Sequence, residues 1–490
     1  MNILFVMRHA GYVRNFEWAL RLLAERGHRV HVAFDEPSRA WMLEPAAVLA
    51  GLADRYPNVS HGAALGRDLD PWSILARRLR LAIDYLRYLE PGYRDARKLR
   101  ARAGRRAPRI VRRLAGWPVV RAPLGLALLR RGLQVIEQAV SDARASARFI
   151  GRHRPDILLL TPLVELGSPQ TDYVRGAKAR GVRTGLCVAS WDNLTNKGLI
   201  RDVPDLIMVW NDAMKREAVE LHGVLAERVV VTGAVPYDHW FEWRPSTSRE
   251  EFCGRVGLRP DRPFVLYLCS SPFIAPEEAG FVGGWIRELR ERGGPRLRDA
   301  GVLVRPHPIN AAQWRDVDLS EPGRVAVWPR VGSDPVDAQS RSDYYDSIYH
   351  SVAVVGVNTS AQIESAIVGR PVYTLLAREF RDTQGGTLHF GHLAQAEGGL
   401  LRVAETFEEH AAQLAEALVA DARADERTRQ FVEAFVRPWG LDVAATPRLV
   451  EAIEVACAAP APRPRPRPRW AALLHLLLTP LVYGGHRGQQ

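Results

Sequence analysis

An α/β protein of two doubly wound domains is what the sequence predicts, and three observations carry the prediction. Short apolar runs of strand length alternate with helical patterns in two separate blocks, as parallel sheets with crossover helices require. Polar turns follow several of those runs, where open parallel sheets take their ligands. At 490 residues the chain is long enough for two large domains.

The first block opens on residues 3–7, turns around Gly11 and enters a helix whose apolar face includes Phe16, Leu20 and Leu23. Residues 31–34 follow as a second strand. Between about 71 and 150 the alternation fails, and helical patterns take over: Arg-rich to Arg113, then more apolar through Trp117, residues 124–129 and Val135. This reads as a helical insertion, either a solvated arm or a docking surface for membrane or acceptor. The sheet pattern resumes at 157–160, 185–188, 206–210 and 229–232. Residues 241–261, with Pro245, Pro260 and mixed charge, read as a linker. The second block runs through 264–268, 302–304, 325–328, 352–355 and 372–375. A break at 437–440 (RPWG) precedes a last helix expected from about 447 to 456. No solenoid repeat appears, although the two blocks echo each other as paired Rossmann-like domains.

Composition narrows the classes. The apolar and charged fractions, 47% and 25%, are those of a soluble globular protein. The apolar strand begins directly after Met1-Asn2, with no basic region or cleavage site, so no signal peptide is expected. Cys187, Cys253, Cys269 and Cys457 are far apart and read as free thiols. The net charge of +12 is local: residues 71–113 hold 14 Lys and Arg against three acids, and 458–490 hold five Arg and no acid. No zinc-finger, homeodomain or RNA-binding signature accompanies that charge, so no nucleic-acid partner is expected. The tail reads PRPRPRPR and then WAALLHLLLTPLVY, too short to span a bilayer, which takes about 20 residues. An anionic membrane surface, met through 71–113 and 463–483, fits better; a Pro/Arg linker whose last helix packs on its own protein is the alternative.

The most informative stretch is AVVGVNTSAQIESAIVGRPVYT, residues 353–374. A buried strand breaks into Asn358, Thr359 and Ser360, a helix runs toward Gly369, and Arg370-Pro371 stops it. Such a unit aims backbone N–H groups and a positive helix end at one point, where a phosphate is stabilised. Glu364 lies one turn inside, where a carboxylate could accept from ribose hydroxyls. An ordinary crossover with an N-cap Thr or Ser accounts for the stretch equally well on its own. The pattern resembles the donor-nucleotide half of GT-B glycosyltransferases and their relatives, the sugar-nucleotide 2-epimerases and the CDP-glycerol glycerophosphotransferases. In epimerase-like members a Ser-Gly-Gly turn holds the diphosphate, and a glutamate five residues before Gly-[Lys/Arg]-Pro binds the ribose. Here Asn358-Thr359-Ser360 takes the turn and Glu364 stands five before Gly369. Without the glycines, a phosphate would meet side-chain hydroxyls as well as backbone.

Arg305-Pro306-His307-Pro308 ends a strand of the second block. An Arg fork and a His there could hold phosphate, and the RPHP resembles the Arg-x-His-Pro of the CDP-glycerol enzymes. Ser270 and Ser271 follow another strand, where GT-B proteins commonly contact donor phosphate; a plain Ser-Pro turn explains them almost as well. The polar loop 381–390 contributes Gln384, Thr387 and His389 as candidates near the donor sugar.

Three loops of the first block are acceptor or reaction-centre candidates. Ser190 to Gly198 (SWDNLTNKG) packs Trp191, Asp192, Asn193 and Lys197 into one loop. Trp191 is a candidate sugar-stacking platform, and Asp192 the first candidate for the base that deprotonates an acceptor hydroxyl; an N-cap or Asx-turn role for Asp192 is nearly as good. Arg8, His9 and Gly11 follow the first strand, where GT-B enzymes usually place an acceptor loop, making His9 a rival base. Glu165, in TPLVE after a later strand, is the third. Val231 to Asp238 (VTGAVPYD) resembles the turn that ends the first GT-B domain. Asp68-Leu69-Asp70 has DxD spacing but no metal-binding context, and GT-B transferases generally use cationic side chains and a helix dipole on the leaving diphosphate. No metal or resident cofactor is expected.

The resemblance implies a GT-B architecture: two Rossmann-like domains facing a cleft, with a basic helical insertion at about 71–150 of an acceptor domain, 1–240. A linker at 241–261, a donor-nucleotide domain at 262–440, a helix crossing back at 441–457 and a tail at 458–490 complete it. The function implied is sugar transfer from a nucleotide-sugar donor to a cell-envelope polysaccharide or lipid-linked acceptor, in the cytoplasm at the inner face of the membrane. The alternatives are a CDP-glycerol-type phosphotransferase, a sugar-nucleotide 2-epimerase, and an inactive GT-B scaffold.

Overall fold

A computed structural model describes residues 1–36, 43–65, 70–141, 143–319, 321, 323–333, 335, 337–395, 399–419 and 425–484. Asp68 and Leu69 lie outside them. The chain forms two compact units, Met1–Pro236 together with the chain from Ala444 onward, and Tyr237–Val443.

The first unit is built on seven parallel strands: β1 (Asn2–Met7), β2 (Arg29–Phe34), β3 (Val59–Ala63), β4 (Ile157–Thr161), β5 (Arg183–Cys187), β6 (Leu206–Val209) and β7 (Val229–Val231), in the order β3-β2-β1-β4-β5-β6-β7. Uninterrupted apolar runs such as ILLLT in β4, buried at every position, are what a sheet covered on both faces demands. The Val13–Glu25 helix lays Phe16, Leu20 and Leu23 on that sheet, beside Leu449, Val450 and Ile453 of the Ala445–Ala458 helix. Glu454 of that helix accepts from Arg26 and meets His28 at 2.8 Å.

Between β3 and β4 the chain forms the helices Pro71–Arg87, Arg97–Arg106, Arg109–Leu114, Pro118–Arg121, Pro123–Val140 and Arg144–His153. A buried charge lattice fixes the longest of them. Arg80, 2% exposed, pairs with Glu137 at 2.6 Å and Asp172 at 2.5 Å, and Arg175 pairs with Glu137 and Asp202. Burial opposes the charge of Glu137, but Arg80 and Arg175 outweigh it and pull its pKa to about 2. The tail follows the same unit. Arg183 donates to the carbonyls of Ala459 and Pro460, Arg465 N–H to that of Lys178, and the Arg469–Gly484 helix stacks His475 on Trp72. Among the described residues, no helix is long and apolar enough to cross a membrane.

The second unit repeats the plan with β8 (Phe264–Leu268), β9 (Gly301–Arg305), β10 (Val325–Val327), β11 (Ala353–Val355), β12 (Val372–Leu375) and β13 (Leu401–Ala404), all parallel, in the order β10-β9-β8-β11-β12-β13. The stretch 241–261 departs from the linker expected there. It holds the Arg249–Val256 helix, opened by a capping box between Ser248 and Glu251 and anchored in the second unit by the fully buried Phe252.

The lattice around Glu137 sets a pH dependence. Its carboxyl pKa is depressed from 4.5 to about 2, so its contribution to stability is complete above the unfolded-state value and is lost as pH falls toward the folded one. Glu137→Gln is expected to destabilise the protein by about 3 kcal/mol near neutrality. In denaturant titrations the gap to the parent should close between about pH 5 and pH 2.

Candidate active site

In the second unit β9, β8 and β11 lie side by side, and the strand order reverses between β8 and β11. That reversal is where open parallel sheets take ligands at their carboxyl ends. Arg305 closes β9 and is 4% exposed. Its Nη1 donates to Ser347 Oγ at 3.0 Å, and its guanidinium carbon lies 5.3 Å from the ring centre of Trp328 and 5.0 Å from that of Tyr344. Nη2 is buried without a hydrogen-bond partner. Burial, incompletely offset by Tyr344 and Asp343, lowers the Arg305 pKa to about 10.

Tyr344 continues the site. Its hydroxyl donates to Glu364 Oε2 at 2.5 Å, and burial together with the Glu364 charge keeps the phenol proton in place. Two residues past Arg305, His307 Nδ1 accepts from Ile309 N–H at 3.2 Å and caps the Pro308–Trp314 turn. Nδ1 therefore carries the lone pair and Nε2 the proton, leaving Nε2 a donor.

After β11, Gly356 passes so close to β8 that a Cβ would stand 3.0 Å from the Leu268 carbonyl oxygen. Asn358 then turns inward, 2% exposed, donating to Thr383 O at 2.6 Å and Thr387 Oγ1 at 3.3 Å and meeting His389 Nε2 at 3.3 Å. Gln362 accepts from Thr359 N–H and donates to Gly356 O, closing the turn. Thr359 is half-buried and Ser360 exposed at the head of the Ala361–Ile367 helix, where Ser360 makes no side-chain cap bond. Gln384, 1% exposed, donates to Val357 O, Thr374 Oγ1 and Leu375 O. Thr387, also buried, donates to Thr383 O and Gln384 O. The hydrogen bonds of Gln384 and Thr387 thus run to the scaffold beneath the Asn358 turn. Ser270 is fully buried with its N–H on Glu278 Oε2 at 2.6 Å, and burial lifts the Glu278 pKa to about 7. Ser271 is half-buried, its carbonyl capping Ile274 and Ala275.

In the first unit the strand order reverses between β1 and β4, and the loops after those strands are tied together. Arg8 pairs with Glu36 at 3.0 Å and with Glu165 at 3.2 Å, and Glu165 also meets Lys197 at 3.4 Å. His9 lies against Tyr12, ring centres 4.7 Å apart, just before the turn that holds the buried Gly11. Burial and the neighbouring Arg8 charge draw the His9 pKa down to about 4, so the imidazole is neutral near pH 7. Asp192 accepts from Ser190 Oγ at 2.7 Å and Asn193 Nδ2 at 3.3 Å, and makes no N-cap bond to the short Asn193–Asn196 helix. Trp191 departs from the expected open platform: it is 5% exposed.

The frame of that loop comes from the Pro71–Arg87 helix. Arg87, 1% exposed, donates to the carbonyls of Leu194, Lys197 and Gly198, and Tyr88 and Tyr93 hydroxyls donate to those of Lys197 and Thr195. Asp84, fully buried, accepts from Gly167 N–H at 2.8 Å and Leu199 N–H at 2.9 Å and pairs with Arg201. Gly198 is required where these meet, since a Cβ would stand 2.7 Å from Glu165 O and 2.9 Å from Asp84 Oδ2. Sequence reasoning missed Asp84, Arg87, Trp328, Tyr344 and Ser347. One signal was present: Arg80, Asp84 and Arg87 recur at helical spacing on the stripe that also carries Ala76 and Ile83, a charged row on a buried face.

Comparison with known proteins fixes the architecture. No family model and no curated protein matches the sequence. Among solved structures, Staphylococcus aureus MnaA determined with UDP aligns at TM-score 0.52 and 13% identity, over 94% of this chain and 98% of that chain. UDP-GlcNAc 2-epimerase from Methanocaldococcus jannaschii aligns at 0.50 and 11%, over 93% and 100%. The chain has the GT-B fold. The likeness is one of fold; the site residues stand on their own geometry. Among the described residues, no three His, Cys, Asp or Glu side chains gather as a metal site.

Arg305 carries a buried charge that no carboxylate pairs with among the described residues. Arg305→Met is therefore expected to leave the unliganded protein as stable or more stable, by about 1 kcal/mol, whereas Arg80→Met, which takes the guanidinium from Asp172 and leaves Glu137 with Arg175 alone, should cost about 3 kcal/mol or more. Chemical denaturation of the two variants against the parent measures the difference.

Proposed function

We propose that this chain is a glycosyltransferase moving a sugar from a nucleotide-activated donor to a cell-envelope polysaccharide or lipid-linked acceptor, in the cytoplasm at the inner face of the membrane. The observation that carries the reading is the buried Arg305 beside the Tyr344–Glu364 pair. A donor diphosphate would supply the anion that Arg305 lacks, with the His307 Nε2–H and the Thr359 and Ser360 hydroxyls as further donors. Glu364, the acceptor for Tyr344, is the carboxylate that would accept from ribose hydroxyls. These side chains, rather than a metal, would hold the leaving group.

In the transfer step the acceptor oxygen bonds to the anomeric carbon as the bond from that carbon to the phosphate oxygen breaks. The hydroxyl proton goes to a base of the first unit. Asp192 leads, since two donors hold its carboxylate in one orientation. His9, kept neutral near pH 7 by burial and the Arg8 charge, and Glu165, shared between Arg8 and Lys197, are the rival bases. A second reading, a sugar-nucleotide 2-epimerase, is favoured by the full-length likeness to the M. jannaschii enzyme; it keeps the nucleotide site and needs no acceptor.

The test is protection of the purified protein against thermal unfolding by UDP, GDP, CMP, CDP, CDP-glycerol and UDP-sugars. At ~100 times the dissociation constant the selected nucleotide should stabilise the fold by about 2.7 kcal/mol, and Glu364→Ala should remove the shift. A selective response to CDP-glycerol would move the assignment to a phosphotransferase. No response in folded protein would contradict the nucleotide site.

A further inference from the structure

The helices Arg109–Leu114, Pro118–Arg121 and Pro123–Val140 of the first unit turn apolar side chains in two directions. Inward, Val111, Ala115 and Leu126 pack with Ala82 and Leu86 of the Pro71–Arg87 helix. Outward, Ile110, Trp117, Val119, Leu124 and Leu128 are each between 62% and 81% exposed. Large apolar side chains left in solvent at this density mark a contact surface. The next layer repeats the pattern: the Arg469–Gly484 helix buries Leu478 and Val482 against Trp72 and Val140, and leaves Leu473, Leu476 and Leu477 exposed.

The charge around this face is one-sided. Residues 97–136 hold 12 Lys and Arg and no Asp or Glu. Some of those cations are engaged inside the unit, Arg100 on the carbonyls of Tyr88 and Tyr93, Arg102 on that of Asn196 and Arg130 on the carboxylate of Glu90. Arg105, Arg106, Arg109, Arg112, Arg113 and Arg121 stay exposed. A second copy of this chain would bring those arginines against their own equivalents. An anionic bilayer matches both features, taking the apolar side chains and Trp117 into its interface and the guanidinium groups among its headgroups.

We propose that the segment from Arg109 to Val140 seats this protein on an anionic membrane through Trp117, Val119, Leu124 and Leu128. Its inner face rests on Leu86, and the adjacent Arg87 holds the Leu194, Lys197 and Gly198 carbonyls. The bilayer contact is thus packed on the turn that frames the Ser190–Gly198 loop, so a lipid-linked acceptor would arrive beside it. That last step rests on the glycosyltransferase reading; the membrane contact does not.

The experiment is co-sedimentation of the full chain with phosphatidylcholine vesicles with and without phosphatidylglycerol, repeated for Trp117→Ala/Leu124→Asp/Leu128→Asp and for Arg112→Gln/Arg113→Gln. Binding should require the anionic lipid and fall at least about tenfold in the first variant. It should weaken with salt in the parent and be reduced in the second variant. Because the substituted side chains are exposed, thermal unfolding should not change. Absence of binding to anionic vesicles, or equal binding by the first variant, would overturn the proposal. So would self-association of the parent that the first variant abolishes, which would assign the face to a second copy. Nucleotide protection in the same preparations reports separately on the donor site.

Discussion

Burying a guanidinium removes its hydration, and the loss has to be made good by anions, carbonyl oxygens or aromatic faces. Across this protein that constraint is met in several ways. Arg80 and Arg201 each sit against buried or half-buried carboxylates, and Arg437 against Asp238. Arg87 is surrounded by carbonyl oxygens. Arg305 has two aromatic faces, one hydroxyl and a bare Nη2. Its deficit lies at the carboxyl edge of a parallel sheet, next to its topological switch point, where a phosphate is the expected partner. The surrounding parts follow from that deficit: Tyr344 is held by Glu364, and Glu364 sits on a helix aimed by a turn that Asn358 and Gln362 keep closed.

The first unit solves a different problem, holding irregular loops still. Loop backbone has polar groups that no sheet or helix satisfies, and here the Pro71–Arg87 helix satisfies them. Asp84 takes the N–H groups of Gly167 and Leu199, and Arg87 takes three carbonyls. The high charge of this segment is therefore divided. Arg80 and Arg87 face inward and organise loops, while the cations after Arg102 remain at the surface. A loop held by buried charges keeps Asp192 in one place, as the base proposed for the acceptor hydroxyl would need.

Most of the fold was legible because buried parallel strands are rich in apolar residues, and eleven of the thirteen strands coincide with stretches read as strands. The two not read, β3 (VSHGA) and β13 (LRVA), lie at sheet edges, where one neighbour is missing and polar residues are tolerated. The Arg249–Val256 helix was hidden by its flanking prolines, although its Ser248-x-x-Glu251 cap was readable. Within the candidate site, Arg305, His307, Asn358 and Glu364 were legible as candidates because each ends or follows a strand in a local motif. Tyr344, Trp328 and Asp84 could not, because only the fold brings them to their partners from distant segments. Trp191 shows the limit of composition: a tryptophan in a polar loop reads as an open platform, and here it is buried.

The most direct test of the account is the phosphorus NMR spectrum of UDP with the parent protein and with Arg305→Met. If Arg305 awaits a diphosphate, the parent should shift or broaden the phosphorus resonances, and the variant, folded and at least as stable, should leave them at their free positions. Equal perturbation by both proteins would show that Arg305 holds no phosphate, and the central claim would fail.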